Sequence, residues 1–189
     1  ILNIYAKYLK GKNNRRLRIE HAQVVDGGDF QLFGDYNVVP SVQPTHATSD
    51  MYWAGERLGK ARLKNAYAYR QLMQQNGWLP LGTDFPVEDI SPFKTFYAAT
   101  IREDSKGWPD GGFQIENALS REEALRGMTI WAAHSNFEEG EKGSLEKGKV
   151  ADFIVIDRDL IKVDKGDILS TKVLKTFVNG EKVYDAGVK

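Results

Sequence analysis

Val38-Val39-Pro40-Ser41-Val42-Gln43-Pro44 is a short apolar run that stops abruptly on an amide and a proline. Continuous apolar character, in place of alternation, predicts a strand buried on both faces, as in a parallel sheet covered by helices. Working outward, Leu17-Arg18-Ile19 is a similar run closing on Glu20-His21, and residues 78–83 form a third that closes on Asp84, with Pro86 just beyond. A helix weakened by its glycines is expected over residues 26–36. A long polar loop over residues 45–60 and a helix over residues 61–75 separate the second run from the third. Strand, helix, strand, helix, strand is the order of βα units on a parallel sheet, an α/β fold.

The flanks extend this plan. Residues 1–10 have helical spacing and end at Gly11, which suits a helix C-cap. A further helix is expected over residues 92–102, followed by a Gly-, Pro- and Trp-rich loop over residues 103–117. Ser120-Arg121-Glu122-Glu123 has Ser and Glu three apart, a capping box that opens a helix reaching about Asn136. The texture then changes. Apolar runs at residues 150–156, 173–178 and 182–184 are short, and Asn179-Gly180 between the last two is a strong hairpin signal. Two units are therefore expected, residues 1–140 and a small, mainly β segment over residues 141–189.

Bulk composition narrows the function classes. With 189 residues, 41% of them apolar, the chain has material for a proper core. Lys plus Arg equals Asp plus Glu, 26 each, so the basic excess of a general nucleic-acid binder is absent. The basic residues between Lys10 and Arg18 read as a solvated helix end and loop. There is no cysteine, which excludes disulfides, a thiol nucleophile and a Cys-based zinc site but leaves the compartment open. No apolar run approaches the roughly 20 residues of a membrane-spanning helix, and no signal-peptide pattern opens the chain. An Ile1 start leads to the expectation of further sequence upstream, so localisation stays unassigned, with the cytoplasm favoured.

Three successive strands end on polar residues: His21, Gln43 (with His46 shortly after) and Asp84. In parallel α/β folds ligands bind at the carboxyl ends of strands. Asp84 shares a face with Gly82 and Pro80, small residues that leave room in front of its carboxylate. Imidazole and carboxylate at neighbouring strand ends suit zinc or a similar divalent ion. Two candidate ligands do not complete a catalytic zinc site, which takes three protein ligands and a water. Each residue also has a plainer reading: a structural histidine at His21, a turn cap at Asp84 and a solvated side chain at His46. His134 reads as a structural helix residue, and Glu20 as a buried ion-pair partner of Arg18.

Taken together, Arg18-Ile19-Glu20-His21-Ala22-Gln23, Ser41-Val42-Gln43-Pro44-Thr45-His46-Ala47-Thr48 and Gly82-Thr83-Asp84-Phe85-Pro86-Val87 resemble the last three barrel strands of the amidohydrolase superfamily, in its N-substituted formamide deformylase-like branch. Residues 142–155, KGSLEKGKVADFIV, are similar to the segment where such enzymes leave the barrel and re-enter a β-sandwich. The resemblance covers nearly the whole chain. It implies the last three βα units of a (β/α)₈ TIM barrel over residues 1–140 and a β-sandwich segment over residues 141–189. It implies a metal-dependent hydrolase that cleaves C–N, amide-like bonds with an activated water. His21 would be a metal ligand, and Asp84 both a ligand and the group that takes the water's proton; Gln43, His46 and Trp53 would border the substrate.

The resemblance also implies that further ligands lie upstream: a His-x-His pair, a bridging residue and another histidine. A complete barrel needs about 250 residues, so this chain by itself is expected to be inactive and to be covered by an N-terminal barrel part or a second copy, as a homodimer. Apolar side chains of residues 17–19, 38–42 and 79–81 are the surface expected to need that cover. Two other function classes fit parts of the pattern: a metal-independent barrel glycosidase pairing Asp84 with Glu20 or Glu88, and a non-enzymatic half-barrel used for binding or assembly.

Overall fold

The computed structural model describes residues 1–187. Its order begins α1 (Leu2–Tyr8), β1 (Arg18–Glu20), α2 (Phe30–Tyr36), β2 (Val39–Ser41) and α3 (Pro44–Leu63). α4 (Tyr69–Asn76), α5 (Pro92–Thr100), α6 (Arg121–Met128) and α7 (Ile130–Ser135) follow. The chain closes with β3 (Phe153–Ile156), β4 (Val173–Val178) and β5 (Glu181–Asp185).

The first two apolar runs pair in parallel, with Arg18, Ile19 and Glu20 opposite Val39, Pro40 and Ser41. The third run joins them as a single parallel bridge, Val42 to Leu81, made by Val42 N–H to Pro80 O at 3.2 Å and Gly82 N–H to Val42 O at 3.0 Å. It does not become a full strand, for two reasons. Pro80 has no N–H to give, and Leu81 N–H donates to the carbonyl of Gly127 in α6 at 3.0 Å. A helix therefore occupies the position of a neighbouring strand. It can come so close because Gly127 has no side chain: a Cβ there would stand 2.6 Å from Leu81 Cγ.

Most of the apolar side chains in the segments expected to need cover are buried within the chain itself. Val38, Val39, Val42 and Leu79 are fully enclosed; Val38, Val42 and Leu79 share one core with Phe33, Phe96, Tyr69 and Leu72, while Leu17 and Ile19 are partly buried against it. Burial of these β-branched and aromatic side chains is the main favourable term holding the strand ends in place.

Residues 45–60 are helical, which corrects the expected polar loop. Pro44 sits in the first turn of α3, where its missing N–H costs nothing. The opening turns bury Thr45, His46, Ala47 and Thr48 together, so no apolar periodicity marks them as a helix. A non-helical Gly59 (φ 70°) kinks α3. The helix expected over residues 61–75 is also corrected. Residues 64–68 leave the helix because Tyr67 N–H donates to Gln23 O (2.8 Å) and Asn65 O accepts from Val25 N–H (3.2 Å), a tertiary pairing that outcompetes local turns. α1 ends at Tyr8 and is capped by Leu9, two residues before the expected cap at Gly11.

The capping box is formed as expected, with Glu123 N–H on Ser120 Oγ (3.2 Å) and Ser120 N–H on Glu123 Oε2 (2.7 Å). The helix it opens breaks at Thr129, next to the diverted Gly127 carbonyl, and resumes as α7. β3, β4 and β5 form an antiparallel sheet in that order. Asn179 (φ 51°) and Gly180 (φ 81°) make the tight β4–β5 connection in the left-handed conformation such hairpins need. Phe153 and Phe177 stack across β3 and β4 at 4.5 Å. Among the described residues no helix is long and apolar enough to cross a membrane.

Candidate metal centre

The site sits where β1, β2 and the residue 81 bridge all end. Beyond each end the backbone turns sharply. His21 (φ 68°) and Asp84 (φ 60°) both adopt the left-handed region that non-glycine residues seldom occupy. Side-chain alternation therefore stops at both positions, and face assignments carried over from the preceding residues no longer hold. Such conformations cost on the order of 1–3 kcal/mol each and cluster at functional sites.

The turns bring His21 and Asp84 to His46, in the first turn of α3. One ligand-type atom from each of the three lies within 4.8 Å of the others. The His21 and His46 rings stack at 5.6 Å between centroids with 21° between planes. His46 Nε2 approaches Asp84 Oδ2 at 3.3 Å. That contact is not aligned as a hydrogen bond, so the enclosed Nε2 has no hydrogen-bond partner. A buried imidazole nitrogen without a partner is costly unless something else meets its lone pair or proton. Gly82 keeps the neighbourhood open: a Cβ there would meet only Gln43 Nε2, at 4.0 Å.

Behind the cluster lies a polar chain. His21 Nδ1 is 2.9 Å from Gln43 Oε1, and Gln43 Nε2 donates to Glu20 Oε1 at 2.9 Å. Glu20 also accepts from Ser41 Oγ, and its Oε2 lies 3.5 Å from Arg18 Nε. The Arg18–Glu20 pair exists as expected but is half exposed instead of buried. Gln43 is only 5% exposed, and its backbone carbonyl accepts from the Tyr69 hydroxyl (3.0 Å) and from His46 N–H (3.1 Å). Tyr69 is itself fully buried, with the Arg102 guanidinium 5.0 Å from its ring centre. Burial pushes the Tyr69 phenol above its usual range, so it stays a donor.

From sequence, His21 and Asp84 are the metal candidates, and the structure places them together. His46 is not in a loop beside them but buried in a helix and part of the same cluster. Gln43 stands behind His21. Trp53 lies two turns further along α3, 45% exposed, with the Arg57 guanidinium 5.8 Å from its ring. His134, read from the sequence as a structural residue, lies 3.1 Å from Glu139 and packs edge-on against Trp78.

The sequence reading missed Asp50. One turn beyond His46, it accepts from Gln23 Nε2 (2.6 Å) and from the Tyr67 hydroxyl (2.9 Å). Burial above all, and also the Asp50 carboxylate, push the Tyr67 phenol upward, with Gln23 pulling the other way. Recognising α3 as a helix is the signal that finds it, since positions four apart share a face. A cavity of about 370 Å³ lies between α3 and α5, lined by Thr45, Thr48, Ser49, Glu88 and Glu103 among others. None of His21, His46 and Asp84 lines it.

Residues 1–184 match the sequence model of the amidohydrolase family. The chain belongs to the amidohydrolase family. Protein LONG AFTER FAR-RED 3 of Arabidopsis thaliana is 36% identical over 97% of this chain and 32% of its own length. N-substituted formamide deformylase of Arthrobacter pascens is 30% identical over 89% of the chain and 31% of its own. Among solved structures, an uncharacterized metal-dependent hydrolase from Pyrococcus horikoshii OT3 superposes with a TM-score of 0.74 at 31% identity, covering 87% of this chain and 32% of that one. The α/β fold is thus that of amidohydrolase structures, and this amidohydrolase chain spans about a third of the length of the curated relatives it matches.

Proposed function

We propose that this chain is the C-terminal part of a metal-dependent hydrolase that cleaves C–N, amide-like bonds with an activated water. Its first 140 residues would be the last three βα units of a TIM barrel and residues 141–189 part of a β-sandwich. The observation that carries the reading is the His21–His46–Asp84 cluster, with its enclosed and unpartnered His46 Nε2. Two imidazoles and one carboxylate fit a zinc-like divalent cation, which accepts both donor types. A cation would also answer the orphaned nitrogen and the closeness of His46 Nε2 to the Asp84 carboxylate.

His21, His46 and Asp84 would hold the ion. When bound, it supplies Lewis acidity, enough to let water ionise near neutral pH. The chain's own residues do the rest. Asp84, one oxygen of which faces His46, would accept the water's proton and pass it to a leaving nitrogen. Gln43 and Glu20 hold the His21 ring. The exposed ring of Trp53 is the aromatic surface assigned to substrate. His46, expected to border the substrate, joins the proposed ligands because it lies in the cluster with His21 and Asp84. Further ligands supplied by another part of the parent protein, or by a second copy, would complete the active enzyme, and the one-sided edge of β1 is where such a part would pair.

Cobalt or zinc titration of the purified chain, alongside His21→Ala, His46→Ala and Asp84→Ala, tests the reading. Binding that weakens at least tenfold in each variant supports it. A monodisperse dimer that binds no metal would move the chain to the non-enzymatic assembly class.

A further inference from the structure

We infer that Glu20 and Gln43 lock His21 in the tautomer that carries its hydrogen on Nδ1, leaving the Nε2 lone pair for the metal. The inference rests on the reading of His21 as a ligand only in its last step. The lock follows from donor and acceptor rules.

An ionised carboxylate only accepts, so the Gln43 group 2.9 Å from Glu20 Oε1 must be its NH₂. The other end of that amide, its carbonyl oxygen, then faces His21 Nδ1 at 2.9 Å. A carbonyl oxygen cannot donate, so Nδ1 must carry the hydrogen, and in a neutral ring the lone pair is left on Nε2. The polarity originates at Glu20 and is transmitted by a side chain that cannot reorient freely. Gln43 is buried, and its backbone is held by Tyr69 and by the first turn of α3. Glu20 is steadied by Ser41 Oγ and by Arg18. Turning the amide over would set its oxygen against the carboxylate. Glu20 and Gln43 are thus positioning residues: neither touches the metal candidate, and together they decide which nitrogen of His21 does.

The chain has three histidines, so the test is direct. Long-range ¹H–¹⁵N spectra of the metal-free protein at about pH 8, above the usual histidine range, report each ring's tautomer. Wild-type His21 is expected as the Nδ1–H form. Glu20→Gln, which can donate as well as accept, should give a mixture, and Gln43→Ala should favour Nε2–H. Exchanging the two groups, Glu20→Gln with Gln43→Glu, restores the polarity and should restore the Nδ1–H form. Zinc affinity, measured against a competing chelator, should fall roughly 10- to 100-fold in Gln43→Ala and recover in the double variant. A wild-type His21 protonated on Nε2, or a tautomer indifferent to Gln43→Ala, overturns the lock. If tautomers follow the pattern while His21→Ala leaves zinc affinity unchanged, the lock stands and the metal reading fails.

Discussion

Tyr69, buried in the core, donates its hydroxyl hydrogen to the backbone carbonyl of Gln43 at 3.0 Å, tying the hydrophobic interior to the rim of the candidate metal site. Tyr69→Phe removes the donor and keeps the ring. Such a bond contributes about 1 kcal/mol net, with an added penalty where a buried acceptor loses its partner. Here His46 N–H still reaches the same carbonyl, so the loss should stay near 1–2 kcal/mol. Urea denaturation of the two proteins measures it, and equal midpoints would show that the bond contributes nothing.

Asp84→Asn, in the longer hydrolase proposed above, tests the proposed proton acceptor. The substitution preserves size and removes both charge and basicity. General-base catalysis contributes on the order of 10²–10⁴ in rate, so turnover should drop at least that far with the fold intact. Near-normal hydrolysis by a stably folded variant would end the assignment.

Gly127→Ala probes the contact of α6 with the third apolar run. The added Cβ would sit 2.6 Å from Leu81 Cγ and 2.8 Å from the Leu79 carbonyl. Overpacking of this kind costs about 1–3 kcal/mol, more than the ~1 kcal/mol that alanine gains over glycine inside a helix. A net loss of stability is expected, and calorimetry showing a higher melting temperature would contradict the close approach.

Glu139 gives a pH dependence with a definite sign. Hydrogen bonds from Arg16, chiefly, hold its carboxyl down to about 2, from an ordinary 4.5. A depressed folded-state value contributes stability that is fully present above pH 4.5 and is lost as pH falls toward 2. Glu139→Gln should therefore lower stability at pH 6 and flatten its decline between pH 4.5 and 2. Parallel pH profiles of wild type and variant would expose the error.

Much of this was legible in the sequence because apolar runs that stop on polar residues leave a clear trace. His21 and Asp84 stood out for that reason, and the Ser120 capping box and the Asn179-Gly180 hairpin carry local signals that tertiary context did not override. α3 was illegible because its first turns bury threonines and a histidine, which erases the apolar stripe by which helices are recognised. Hence His46 and Asp50 were misplaced or missed. The break at residues 64–68 depends on partners some forty residues away, Gln23 and Val25, and no local window contains that information.

The left-handed backbone at His21 and Asp84 sets thermal robustness and the proposed metal capture against each other. Glycine occupies that conformation without the steric penalty a side chain meets there. His21→Gly or Asp84→Gly would relieve local strain while deleting a candidate ligand, at two of the three positions of the cluster. A library of this chain sorted for heat resistance alone should drift toward glycine at both positions. Only a selection that also reads the metal would preserve the imidazole and the carboxylate, so their persistence through such an experiment would measure how strongly bound metal itself contributes to the folded state.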